Sequence, residues 1–185
     1  MNIPWLSENA IYSLLSLQRY RASMMQVNME CKLMGRHVIL FYSTKDAYGE
    51  FSNFAAFPIE IDARTWPTSE HYFQAQKFAG TEHEELIRTT QSPMTVAKIG
   101  RDRKRPLRAD WEEVKDSIMR KAVWTKFNQH PRIAAMLIET GDAEIVEHTE
   151  NDAYWGDGGD GKGVNRLGQI LMEVRAELRA GKSKA

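Results

Sequence analysis

From Thr81 to its C-terminus the chain is punctuated into a series of mostly short helices, and this constrains the fold more than any other feature. Thr81 with Glu84 makes a capping box ahead of Leu86 and Ile87. Ser92-Pro93 opens a second helix that Gly100 can close. Asp110 caps a longer one, with Val114, Ile118 and Ala122 at helical spacing up to about Phe127. Pro131 starts another, carrying Ile133, Met136, Leu137 and Ile138 and stopped at Gly141. The last helix spans roughly 165–180, with Leu167, Ile170, Leu171, Val174 and Leu178 along one side.

Strands are few. His37 to Tyr42 is a nearly continuous apolar run that reads as a buried strand, and Glu144 to His148 reads as a short one. Phe57 to Ile61 alternates weakly, and with Asp62-Ala63-Arg64 as a turn it suggests a small hairpin. Residues 43–56 form a polar, aromatic loop. The expected fold class is α+β: a mostly helical single domain over 36–180 with a few short strands, then a tail at 181–185. Residues 1–35 read as an N-terminal extension with an amphipathic stripe of Ala10, Ile11, Leu14, Leu15 and Leu17. The stripe suits a helix packed on the domain, with a partner-binding helix as the sharper alternative.

Composition narrows the function classes. Lysine plus arginine equal aspartate plus glutamate at 25 each, so bulk charge advertises neither a nucleic acid nor a membrane. Any anionic ligand must meet a local patch. Cys31 is the only cysteine, which excludes an intramolecular disulfide and a cysteine zinc cage and points to a reducing, cytoplasmic setting. The first residues carry Glu8 and no early lysine or arginine, unlike a secretory signal, and no apolar run approaches the roughly 18 residues of a membrane span. There is no GxxxxGK[ST] loop, no GxGxxG after a strand and no G-x-S-x-G elbow. His37, His71, His83, His130 and His148 form no ligand spacing, so neither a metal nor a cofactor is expected.

Chemistry concentrates in four stretches. In Trp66 to Phe78, Pro67 and Thr68 suit a helix start and Gly80 a helix end. Glu70, Gln74 and Lys77 then share one face, with Lys77 within about 20° of Glu70. That stripe is either a solvated ion pair or the working edge of a site, and a core or surface role suits His71. The loop from Thr149 to Gly163 is rich in glycine and acid and leads through Val164 to Asn165. It lacks the EF-hand spacing. It can be a structural turn, but Tyr154 and Trp155 favour a ligand. The run from Lys98 to Arg108, followed by Trp111, is either a solvated face or a phosphate site, with Arg101 at its helix-ending glycine. Asn53, between Ser52 and Phe54, suits a ribose hydroxyl, a base edge or a turn cap.

Taken together, Trp66-Pro67-Thr68-x-Glu70-His71-Tyr72-x-Gln74-Ala75-x-Lys77-Phe78, Gly100-Arg101, Asp110-Trp111, Lys126-Phe127, Thr140-Gly141, Asp152-x-x-Trp155-Gly156 and Asp160-Gly161-x-Gly163-x-Asn165-x-Leu167-Gly168 resemble the NADAR family. The resemblance runs from about Phe41 to Leu178. It implies an N-glycosidase that splits the ribose C1′–N bond without a cofactor. Some members act on phosphoribosylated amino-pyrimidine intermediates of riboflavin synthesis, and others remove ADP-ribose from guanine bases of DNA. It implies Glu70, Trp111 and Asp152 as essential positions and Lys77 as the helix lysine. The catalytic set is then Glu70, the principal acid/base, with Lys77 and Asp152. Lys77 is either a nucleophile forming a Schiff base with the opened ribose or a partner of Glu70. The substrate-binding set is Asn53, Arg101, Trp111, Trp155, Gly156, Asp160 and Asn165. The expected partner is a phosphorylated ribosyl substrate, with DNA a candidate. The rival reading is a module that binds ADP-ribose or NAD without cleaving it.

Overall fold

The computed structural model describes residues 37–182. The stripe expected over residues 10–17 lies outside them. The chain enters through β1 (Val38–Phe41) and a 3-10 turn at Gly49–Phe51, then the hairpin β2 (Ile59–Ile61) and β3 (Arg64–Trp66). Five helices follow: α1 (Ser69–Gln76), α2 (Glu82–Thr89), α3 (Pro93–Gly100), α4 (Trp111–Gln129) and α5 (Pro131–Glu139). Strand β4 (Glu144–Glu147) and the terminal α6 (Arg166–Lys182) complete an α+β domain that is mostly helical.

α1 sits at the centre, with α2, α3 and α4 packed on it. Every residue from Ser69 to Ala75 is buried. A helix buried all round is normally apolar all round. This one carries Glu70, His71 and Gln74, so its polar groups must find partners inside the protein. α6 covers β4 and packs on α4 and α5. Phe41, Phe51, Phe127, Ile145 and Leu171 form part of the shared core.

β1 and β4 pair in parallel, Val38 opposite Glu144 through to Phe41 opposite Glu147. The second edge of β4 is closed by a side chain. Asn165 Oδ1 accepts the Glu147 N–H at 3.0 Å, and its Nδ2 donates to the Ile145 carbonyl at 2.9 Å. One amide thus stands in for a neighbouring strand and protects an exposed ladder edge.

The hairpin turn places Asp62 and Ala63 at φ 54° and 57°. Two-residue hairpin turns of the twisted kind require positive φ at both positions, which suits aspartate and glycine far better than alanine. Ala63→Gly is therefore expected to raise stability by about 0.5–1 kcal/mol, and Tm by about 2 °C in a thermal melt.

Helix ends differ from expectation in three places. Pro67 precedes the N-cap, and the first turn of α1 belongs to Thr68 and Ser69. Thr81 accepts from the His83 N–H at 3.3 Å, while Glu84 accepts from Gly80 at 2.8 Å and from Arg64 at 2.6 Å. The reciprocal bond of the capping box is thus displaced by one residue, because Arg64 draws the Glu84 carboxylate. Asp110 gives α4 no side-chain cap; its oxygens take the Arg108 guanidinium at 2.6 and 2.9 Å instead.

Candidate active site

Thr68 fixes the entry of α1. Its Oγ1 accepts from the His71 N–H at 3.3 Å and donates to His71 Nδ1 at 2.8 Å, while His71 Nε2–H donates to the Thr90 carbonyl at 2.7 Å. Burial lowers the His71 pKa, so the ring is neutral and ties α1 to the end of α2. This leaves Glu70 to other partners. Its N–H donates to the Asn53 carbonyl at 3.1 Å, and Oε1 accepts from Gln74 Nε2 at 2.9 Å. Burial raises the Glu70 pKa; Gln74, Lys77 and Arg101 pull it back down, and Asp152 pushes it up again. A carboxyl poised between these influences can hold or release a proton.

Lys77 follows directly on α1. Its Nζ donates to the Gly100 carbonyl at 3.0 Å and stands over the rings of Phe73 and Trp111, 5.7 and 5.4 Å from their centroids. Burial brings its pKa from 10.5 down to about 8; Glu70 works against this and Arg101 and Arg103 add to it. Gly100 permits the arrangement: a Cβ there would collide with the Gln74 side-chain amide. The absence of a side chain lets α3 close on α1 and deliver its last carbonyl to Lys77.

Phe73 joins the aromatic members, with Trp111 at 5.1 Å and Trp155 edge-on at 5.2 Å. Trp111 is buried, so it backs Lys77, while Trp155 keeps part of its surface open. Arg101 ends α3 and is exposed, with its charge acting on both Glu70 and Lys77. Within the basic run, Arg105 is engaged with His83 and Asp102 and Arg108 with Asp110. Lys98, Arg101, Arg103 and Lys104 extend to solvent.

The acidic loop is a built structure. Asp152 Oδ1 accepts from the N–H groups of Tyr154 and Trp155 at 2.9 and 2.8 Å, which turns the aromatic pair and leaves Oδ2 free of hydrogen bonds among the described residues. Tyr154 donates to Asp116 at 2.7 Å, and Arg166 holds the other oxygen of Asp116 at 2.7 Å, anchoring the loop to α4 and α6. Asp157 is buried and accepts from Thr149 N–H, Gly159 N–H and His148 Nδ1.

The structure therefore gathers Glu70, Lys77, Asp152, Arg101, Trp111 and Trp155 around one locus, with Asn53 behind it. Asn53 is buried; its Nδ2 donates to Met119 Sδ at 3.1 Å, and Oδ1 has no hydrogen-bond partner among the described residues. Three of the expected substrate-binding residues do other work. Asn165 spends its whole amide on β4. Asp160 caps an exposed turn through the Lys162 N–H at 3.0 Å. Gly156 is buried, with room for a Cβ denied by Thr149 Cγ2 at 2.5 Å.

Two further residues were given no role of their own by the sequence, Lys126 standing only in the family motif and Glu147 only in a short strand. Lys126 is fully buried and donates to the carbonyls of Glu50 and Ser52 at 2.6 and 2.8 Å, pinning the loop that carries Asn53. Burial lowers its pKa to about 7. Its signal was a lysine on the apolar stripe of α4, in line with Met119, Ala122 and Val123. Glu147 ends β4, and its charge is coupled to Asp152 and Glu70. Among the described residues no three His, Cys, Asp or Glu side chains are grouped to hold a metal ion, and no helix is long and apolar enough to cross a membrane. A separate cavity of about 550 Å³, lined by Tyr48, Glu50, Glu139 and Thr140 among others, contains none of the site residues.

Comparison with known proteins bears on this geometry. Residues 40–179 match the NADAR domain. The chain is 62% identical over 141 residues to N-glycosidase YbiA of Escherichia coli (strain K12), a match covering 76% of this chain and 88% of that one. The NMR structure of the E. coli protein YbiA aligns with a TM-score of 0.76 and 59% identity, over 80% of this chain and 89% of that chain. Riboflavin biosynthesis protein PYRR, chloroplastic, of Zea mays is 38% identical over 157 residues, which takes in 77% of this chain and 25% of that protein.

Proposed function

This chain belongs to the NADAR domain family and is an N-glycosidase, and we propose that it hydrolyses the ribose C1′–N bond of a phosphoribosylated amino-pyrimidine. The observation that carries the reading is Glu70: a carboxylate buried on a central helix, bonded to Gln74 and coupled to Lys77, Arg101 and Asp152. A ribosyl C–N bond breaks through a positively charged, oxocarbenium-like sugar. A fixed carboxylate in a dry site stabilises that charge far better than water does. Glu70 faces C1′ and moves the protons of the attacking group. Asp152, with Oδ2 unspent, takes the ribose hydroxyls. Arg101 takes the phosphate, where its planar fork suits paired hydrogen bonds. Trp155 stacks on the base.

The amino-pyrimidine reading rests on the riboflavin-biosynthesis name of the maize relative and on a site that offers Arg101 as its phosphate contact. A second reading, removal of ADP-ribose from guanine in DNA, draws on the exposed Lys98, Arg103 and Lys104 beside Arg101. Incubation with each substrate separates them. Free amino-pyrimidine, with binding that weakens by about one power of salt concentration or less, is the expected result. Free ADP-ribose, with a salt slope of about three or more, would move the assignment to DNA. Tight binding of ADP-ribose with no product from either substrate would make the protein a binding module.

A further inference from the structure

Of the three carboxyls at the site, two are committed. Glu70 Oε1 holds Gln74, and Asp152 Oδ1 holds two backbone N–H groups. Glu147 is different: its side chain makes no hydrogen bond or ion pair among the described residues, and it stays partly exposed while Glu70 is buried.

Its main chain is held on every side. The N–H donates to Asn165 Oδ1 at 3.0 Å, and the carbonyl accepts from the Asp157 N–H at 3.0 Å. β1 places Phe41 opposite it. Gly156 lies so close that a Cβ would come within 2.7 Å of the Glu147 carbonyl oxygen, so any other residue there would push the loop off the strand end. A side chain with no partner, on a backbone fixed this firmly, is arranged to meet a ligand.

The charges acting on Glu147 are all negative: Asp152 and Asp157 from the loop and Glu70 from α1. The nearby start of α6 offers no relief, because Arg166 is spent on Asp116 and Glu173. Desolvation by the protein packed around this half-buried carboxyl, then Asp152, Glu70 and Asp157, raise its pKa to about 8, so near neutral pH it carries a proton.

We propose that Glu147 is a further catalytic residue of the N-glycosidase reaction, the acid that protonates the departing nitrogen. The inference rests on the N-glycosidase reading above. As the C1′–N bond breaks, its electron pair goes to nitrogen, which takes the Glu147 proton. C1′ takes the nucleophile. One water is consumed overall: its hydroxyl ends on C1′ and its proton returns to the Glu147 carboxylate. The amine product and the acid are both restored.

A pair of substrates tests this. A phosphoribosylated amino-pyrimidine has a poor leaving nitrogen and needs the proton; 4-nitrophenyl riboside 5′-phosphate expels a stable phenolate and does not. Glu147→Gln is expected to lower kcat on the first about 10²–10³-fold and on the second less than about threefold. It should also abolish the alkaline limb of the pH profile. Equal slowing on both substrates, with an unchanged melting curve, would show that Glu147 only shapes the site and overturn the assignment. Full activity of the variant on the amino-pyrimidine would overturn it too. Wild-type protein that releases neither nitrophenolate nor pyrimidine would remove the N-glycosidase reading itself.

Discussion

Glu70→Gln is expected to lower kcat about 10³-fold while leaving the protein folded and at least as stable as wild type. The substitution keeps an oxygen to accept from Gln74 Nε2 and removes only the charge and the proton. The stability direction follows from proton linkage. The Glu70 pKa is raised in the folded state, chiefly by burial, so above the ordinary glutamate range the native protein binds a proton that the unfolded chain releases. Stability from this group is therefore complete at low pH and falls as pH rises through that window. The neutral amide of the variant has no charge to bury and escapes the loss. Steady-state rates and a thermal melt at pH 7 check both halves. A variant retaining more than about a tenth of wild-type kcat would show that another group carries the reaction.

Lys77 yields the second large effect. Borohydride added during turnover is expected to fix a ribosyl adduct on Lys77, found by peptide mass, and Lys77→Met is expected to lose both the adduct and about 10²–10³-fold of kcat. An amine with a pKa near 8 is about one-tenth neutral at pH 7. Burial and the cations Arg101 and Arg103 tune it, the pattern of a nucleophilic lysine. Attack requires the neutral amine, so rate climbs with pH toward about 8. Glu147 must be protonated, so rate falls beyond about 8. The wild-type profile is a bell with its maximum near pH 8, and Lys77→Met loses the acid limb. Near-normal turnover by Lys77→Met with no adduct would assign the attack to water and leave Lys77 as the cation beside Glu70.

The chain wrote its local structure plainly. Pro93, Pro131 and Gly141 mark helix ends by backbone chemistry alone, and the stripe from Glu70 to Lys77 follows from helical spacing. Interactions settled by distant residues were hidden. Nothing near Glu144 announces that β4 will pair in parallel with a strand about a hundred residues earlier. Glu147 consequently read as one more residue of a short strand. Asp110 had the identity and position of a cap, but a guanidinium two residues away binds it more strongly than a backbone amide can. Asn165, Asp160 and Gly156 stood in a motif that suggested ligand contact. Asn165 completes a sheet edge, Asp160 closes a turn and Gly156 admits a close approach, and each role depends on neighbours that sequence spacing does not name.

The central burial of α1 has a further consequence. Helices α2, α3 and α4 enclose it, so its amides become exposed only when those helices separate, which amounts to unfolding the domain. Opening of Glu70 to solvent is therefore expected to require that same separation. Loss of the Glu70 site on heating is then expected to coincide with loss of the fold, at a rate set by unfolding of the domain.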